Sequence, residues 1–410
     1  MGQVGERLWA LLHEPEGPLV AYLDAFASHL HAQGFKRHLL GRQIRQAAKF
    51  SRWLQSARVA AGAVTEEHVL RFLQETAQRG LVRQGTAATL RRLIDYLRRL
   101  GIIQASASSE LTSVQQTVAE FAEYLRTERE LSGTTLIQYC AFAESFLSQR
   151  FGTGSVDLAS LRPLDVIRFV QRQASRLSPA RGKAATTALR CFLRYVRYRG
   201  ETQFDLAAAV PTVPNWSMTA IPRAIGPDHL RAVLAHCPRD TPVGCRDYAI
   251  LMLLARLGLR ASEIVSLRLD SIDWKAGSIA VAGKGDQAAY LPLPVEVGEA
   301  IVLYLRYGRP VSSDRALFLR ATAPIRGLGS QRTIGTIVNA ALTRAGIETP
   351  RRGAHQFRHA LGAEMLRHGA TLTEIGSVLR HQHPKTTGIY AKVDFEALRP
   401  LSLPWPVGAL

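Results

Sequence analysis

The chain repeats itself once, and the repeat confines its N-terminal half to helical domains. TEEHVLRFLQ (65–74) returns as RPLDVIRFVQ (162–171), so that Val69, Arg71, Phe72 and Gln74 recur as Val166, Arg168, Phe169 and Gln171, 97 positions on. A second pair follows at almost the same offset. TAATLRRLIDYLRRLG (86–101) resembles KAATTALRCFLRYVRYRG (183–200), and each run ends on a glycine, Gly101 or Gly200. FSRWL (50–54) and AESFL (143–147) share an aromatic-aliphatic period. Apolar positions three and four apart with arginines between them predict amphipathic helices. Two related all-helical units of about four helices each follow, over 15–105 and 112–205.

Two connectors bracket the second unit. QASASSEL (104–111) is small and polar, and AAAVPTVPNWSMTAIPRAIGP (207–227) holds Pro211, Pro214, Pro222 and Pro227. The remainder opens with helices (GPDHLRAVLAHC, then CRDYAILMLLARLGL) and passes through strand-like SIAVAG and AAYLPLP around the turn GKGD. It returns to helices from about residue 293. The fold class is therefore mainly α with a small β-sheet insertion. The division is 1–105, an N-terminal helical domain; 112–205, a second helical domain; 206–227, a linker; 228–400, a last domain; and 401–410, a tail.

Composition limits the partner. Lys plus Arg number 52 against 33 Asp plus Glu, a formal net charge of +19, which favours a polyanion such as nucleic acid or an anionic membrane face. The most apolar run, YAILMLLARLGL (248–259), includes Arg256 and falls short of the roughly 20 residues a membrane span needs, so it reads as a buried helix. The N-terminus carries Glu6, Glu14 and Glu16 and has no export-signal pattern. Cys140, Cys191, Cys237 and Cys245 form no C-x-x-C pair, which suits reduced, buried thiols in a cytoplasmic protein.

The residues with chemistry stand in the last domain. In order they are LGLRASE around Arg260, GKGD around Lys284, HQFRH with His355 and Arg358, LRH with His381, and GIY with Tyr390. Singly, each has an ordinary structural explanation. Arg260 lies three residues before Glu263, as in a helix-end ion pair, and Lys284 between glycines suits a hairpin tip. His355 and Arg358 at i,i+3 suit a surface network, and Tyr390 suits a core. Together, over 112 to about 395, they resemble the tyrosine recombinase, or phage integrase, family. LRHQHPKTTGIY (379–390) is similar to that family's Leu-Gly-His, Thr-Thr, Ile-Tyr pattern, with the same nine positions between His381 and Tyr390. Arg380 stands where the family has glycine, and the N-terminal helical repeat is an addition to it.

The resemblance implies two tandem helical SAM-like domains of the core-binding type, followed by a tyrosine recombinase catalytic domain. It implies Tyr390 as nucleophile, forming a 3′-phosphotyrosine, with Arg260 and Arg358 on the phosphate and Lys284 protonating the leaving 5′-oxygen. His355 would assist proton transfer at the tyrosine, and His381 would hydrogen-bond a non-bridging oxygen. Guanidinium groups fit a reaction whose transition state gathers charge on phosphate oxygens, because they are planar, bidentate and always charged. No cofactor or metal is expected. HQFRH resembles a zinc motif but has Gln356 in place of its glutamate and Arg358 beside it, and GKGD lacks a nucleotide-binding phosphate loop. The implied partners are double-stranded DNA, further copies of the chain in a tetrameric synapse, and other recombinases of the same mobile element. No membrane is involved, and the location would be cytoplasmic, on the nucleoid. Arginine-rich helices in both repeats, with Tyr195 and Tyr198, present either a phosphate-binding face or a solvated face over an apolar core. Two alternatives keep the fold: an inactive DNA-binding accessory protein, and a relaxing enzyme of the type IB topoisomerase kind.

Overall fold

Why the repeated segments form helices is visible in which of their side chains are buried. The computed structural model describes residues 14–80, 85–103, 111–131, 133–213, 224–283, 288–349, 352–381 and 383–390. The first four helices are α1 (Val20–Ala32), α2 (Arg37–Ser56), α3 (Glu66–Gln78) and α4 (Thr86–Arg99). They close on a core of their own that includes Phe26, Ile44, Phe50, Leu93 and Leu97. The next four are α5 (Ser113–Thr127), α6 (Gly133–Phe151), α7 (Pro163–Ala174) and α8 (Pro179–Tyr198), around Phe121, Phe146, Phe169 and Phe192.

The repeat holds at the level of ring packing. Trp53 of α2 meets Phe72 of α3 edge-on, with ring centroids 5.8 Å apart, and Phe146 of α6 meets Phe169 of α7 the same way at 5.3 Å. Edge-to-face contact suits the ring quadrupole. The helices α4 and α8 end alike, with Gly101 and Gly200 in the left-handed region and paired reverse hydrogen bonds, Ile102 to Leu97 and Glu201 to Val196. Tyr195 is packed in the core against Phe121 and Tyr124, so of the two tyrosines considered for DNA contact only Tyr198, 72% exposed, faces solvent.

The chain divides into two compact units, 105–219 and a second made of 1–104 with 220–410. In the second unit the N-terminal helices touch the part of the chain that follows residue 220. Ile325 N–H donates to the Gln33 carbonyl at 2.8 Å, and a side chain on Gly34 would strike Ile325. The helices following residue 226 are α9 (Pro227–Ala235), α10 (Pro242–Leu257) and α11 (Ala261–Ser266). Later come α12 (Val295–Leu303), continued by a π turn at Tyr304–Gly308, α13 (Gln331–Arg344), α14 (His355–Arg367), α15 (Leu372–Val378) and α16 (Pro384–Thr387). Between α11 and α12 lies an antiparallel sheet in the order β1 (Ile272–Asp273), β2 (Ser278–Ala282), β3 (Ala288–Pro292), with Ala282 opposite Ala288. The helix α10 is the core element here: Ile250, Leu251, Leu253 and Leu254 are fully enclosed. Among the described residues no helix is long and apolar enough to cross a membrane.

Phe192 is fully buried and touches the rings of Phe121, Phe146 and Tyr195. Phe192→Ala should destabilise the 105–219 unit by about 3–5 kcal/mol, measured as a shift in its denaturant transition in the intact chain.

Candidate active site

The site is assembled at helix ends. The helix α10 stops at Gly258, whose left-handed backbone turns the chain into α11. Arg260 is the residue that opens α11, and Glu263 reaches back to it: the Arg260 N–H donates to Glu263 Oε2 at 2.8 Å, and its Nη1 donates to Oε1 at 2.6 Å. Arg358 lies in the first turn of α14 and is 2% exposed. Its Nη1 donates to the Gly258 carbonyl at 2.6 Å and its Nη2 to the carbonyl of Leu379. Leu379 caps α15, and the next residue, Arg380, takes the left-handed conformation with φ 54°. The Arg380 carbonyl accepts from Arg260 Nη2 at 3.1 Å. Carbonyls at a helix C-terminus lack intrahelical donors and carry the negative end of the dipole, so they are suited to holding guanidinium groups.

Burial, reinforced by neighbouring cations, lowers the pKa of each nearby histidine. His355 and His359 lie one turn apart on α14, with ring centroids 5.2 Å apart. Burial lowers the His355 pKa, and Arg358 and Arg260 lower it further. Burial, with His355 and Arg358, takes His359 down to about 4. His381 falls to about 4 through burial and the charges of Arg358 and Arg260. Its Nδ1 lies 2.8 Å from Thr387 Oγ1, so the second threonine of the Thr-Thr pair anchors α16 beside it. Burial likewise lowers the Arg358 pKa, to about 10, with Arg260 and Arg380 adding to it.

Tyr390 is 1% exposed and sits on Gly362, where a Cβ would come within 2.5 Å of its ring. Its ring lies parallel to that of His381 at 6.3 Å, and its hydroxyl is 3.1 Å from His359 Nδ1. Burial pushes the phenol up to about 12, against the pull of Arg358. At neutral pH the proton therefore rests on the phenol oxygen, beside a neutral imidazole.

A cleft of about 680 Å³ opens beside these groups, lined by Arg260, Ser262, Glu263, Arg380, His381, His383 and Thr386, and on the hairpin side by Gly283, Ala288 and Ala289. Lys284 lies outside the described residues, between Gly283 and Ala288. Of the residues expected from sequence, Arg260, His355, Arg358, His381 and Tyr390 come together near this cleft from three separate stretches of the chain. Their ordinary structural explanations hold at the same time, since Arg260 does pair with Glu263 and Tyr390 is packed in a core. The hydrogen-bond partner of the phenol is His359, which in the sequence is marked only as the second histidine of HQFRH. Glu263 gains its importance from Arg380, 117 residues away, and no local pattern reveals that pair.

The depressed histidines set a pH dependence of stability. Their folded pKa values lie below the unfolded value of about 6.5, so the unfolded chain binds more protons and stability falls as pH drops below 6.5 towards 4. Thermal melts should show the decline already between pH 6.5 and 5, above the main carboxylate range. His359→Gln with His381→Gln should flatten it in that window.

Residues 223–397 match the model of the phage integrase family. The chain is 48% identical over 400 residues to a protein of Sinorhizobium fredii named as an integrase/recombinase, y4rA, covering 97% of each chain. It is 31% identical to the tyrosine recombinase XerD of Proteus mirabilis over 295 residues, 69% of this chain and 90% of that one. In fold it is similar to the XerH site-specific recombinase bound to a palindromic difH substrate, with a TM-score of 0.56 at 19% identity over 75% of this chain and 87% of that one. It is also similar to a lambda integrase dimer bound to a COC′ core site, with a TM-score of 0.51 at 14% identity over 67% and 94%. The sequence relatedness over nearly the whole chain places the protein in the phage integrase family of tyrosine recombinases.

Proposed function

We propose that the protein is a site-specific DNA recombinase that cuts and rejoins double-stranded DNA through a 3′-phosphotyrosine, serving integration, excision or transposition of a mobile element. The observation that supports this best is that Arg260 and His381 line one cleft while the buried Arg358 and Tyr390 lie directly behind them, Arg358 on the Leu379 carbonyl and Tyr390 on the His381 ring. The DNA named in the titles of the XerH and lambda integrase structures supports DNA as the partner. The division of labour is three-domained: residues 1–105 and 112–205 are helical DNA-facing domains, and 228–400 is the catalytic domain.

In this reading the scissile phosphate enters the cleft and exchanges the helix-end carbonyls for its own oxygens as acceptors of Arg260 and Arg358. Tyr390 Oη bonds to phosphorus as the bond to the 5′-oxygen breaks. The 5′-oxygen takes its proton from Lys284, and the phenol proton passes to His359, its present partner, in place of the His355 that the family resemblance put there. His381 donates to a non-bridging oxygen. At pH 7 a phenol with a pKa of about 12 is ionised in about one molecule in 10⁵. Attack therefore depends on Tyr390 leaving its buried seat against Gly362 for the neighbourhood of the phosphate and the arginines, whose charge favours the phenolate. The phosphotyrosine keeps the energy of the broken bond, so rejoining needs no nucleotide. Copies of the chain, or other recombinases of the same element, would supply the partner strands.

The arginines of α4 are not equivalent. Arg92 donates to Gln43 and Arg98 to Glu66, while Arg91 and Arg99 are exposed. Replacing both exposed arginines by alanine should make the dependence of log affinity on log salt shallower by about 0.9 for each phosphate no longer neutralised, measured on duplex DNA. For the chemistry, Tyr390→Phe should bind DNA as the parent does and form no SDS-resistant complex on a nicked suicide duplex. A covalent complex with the Phe variant would remove Tyr390 as nucleophile.

A further inference from the structure

Seven helices among the described residues end in the same paired reverse hydrogen bonds around one left-handed residue. That residue is glycine in α1, α4, α8, α13 and α14, but Arg58 in α2 and Arg380 in α15. An L side chain is strained there, so glycine is the default occupant. Arg58 is exposed, whereas the side chain of Arg380 is 14% exposed and committed. Its Nη2 donates to Glu263 Oε2 at 2.9 Å, and its Nη1 donates to the Val378 carbonyl at 3.0 Å. Glu263, itself 6% exposed, also holds Arg260, and Arg260 donates to the Arg380 carbonyl. Arg260, Glu263 and Arg380 thus form a closed ring, with one carboxylate between two guanidinium groups on the wall of the cleft.

We infer that Arg380 is a positioning residue for strand cleavage: by sharing Glu263 it leaves the Arg260 corner with a net positive charge and fixes the carbonyl against which Arg260 is aimed. The inference rests on the DNA-cleaving function proposed above. Without Arg380, the buried carboxylate of Glu263 faces Arg260 alone. The pair is then neutral and Arg260 is drawn back from the cleft. A transition state that gathers charge on phosphate oxygens loses support, while binding of the long duplex, spread over many contacts, is little affected.

The test uses Arg380→Gly, which suits the turn better than arginine does, and follows single-turnover formation of the covalent complex on a nicked suicide duplex. The variant should melt at or above the parent temperature. It should cleave about 10- to 100-fold more slowly, at nearly unchanged DNA affinity and salt dependence. Adding Glu263→Gln removes the unbalanced carboxylate, and the double variant should regain most of the lost rate. Parental cleavage by Arg380→Gly, or no recovery in the double variant, overturns the inference. A salt slope shallower by about 0.9 also overturns it, because Arg380 would then touch phosphate directly. Failure of the parent itself to form a covalent complex sinks the proposed function, and this role with it.

Discussion

The site depends on helix-end carbonyls that have no helical donor to satisfy them. Gly258 closes α10 and Leu379 closes α15, and one guanidinium, that of Arg358, is hydrogen-bonded to both carbonyls. Since the two helices belong to segments about 120 residues apart, this one side chain sets the distance between the corner that carries Arg260 and the turn that carries His381. A buried guanidinium is costly unless its donors are used, and a buried carbonyl is costly unless it accepts. Each need meets the other, so the arrangement is held in place by the protein itself.

Electrostatics then follow from that geometry. Three guanidinium groups, of Arg260, Arg358 and Arg380, share one nearby carboxylate, Glu263. Burial, with their field adding to it, lowers the pKa of His355, His359 and His381, the last two to about 4, which favours neutral rings. The same burial holds the Tyr390 proton on oxygen and the phenol against His359. The resting molecule thus has its cations held and its phenol protonated, a division consistent with the phosphoryl transfer proposed above.

Much of this was legible along the chain. The helical repeat could be read because Phe72 and Phe169, and the glycines after α4 and α8, occupy equivalent places in amphipathic helices, and burial imposes that period directly on sequence. The candidate site residues could be picked out as well, because phosphate chemistry calls for guanidinium groups and a nucleophile and LRHQHPKTTGIY carries its own spacing; the structure brings Arg260, His355, Arg358, His381 and Tyr390 near one another. The partner of the phenol was not, since His355 and His359 both face the site from one helix and only the seating of Tyr390 on Gly362 selects His359. The fate of Tyr195 was equally hidden: an aromatic in an arginine-rich helix suits either a core or a DNA face until its neighbours, Phe121 and Tyr124, are placed.

The sequence by itself determined the helical class, the small sheet insertion, the basic charge and the set of residues with chemistry. All of these depend on residue type and on spacing within one element. Only the tertiary structure decided which groups meet: Glu263 with Arg380, Arg358 with Gly258 and Leu379, and His359 with Tyr390. Such pairings join segments far apart in the chain, and they exist because close packing brings unsatisfied polar groups together at the ends of helices, where no local periodicity records the partner.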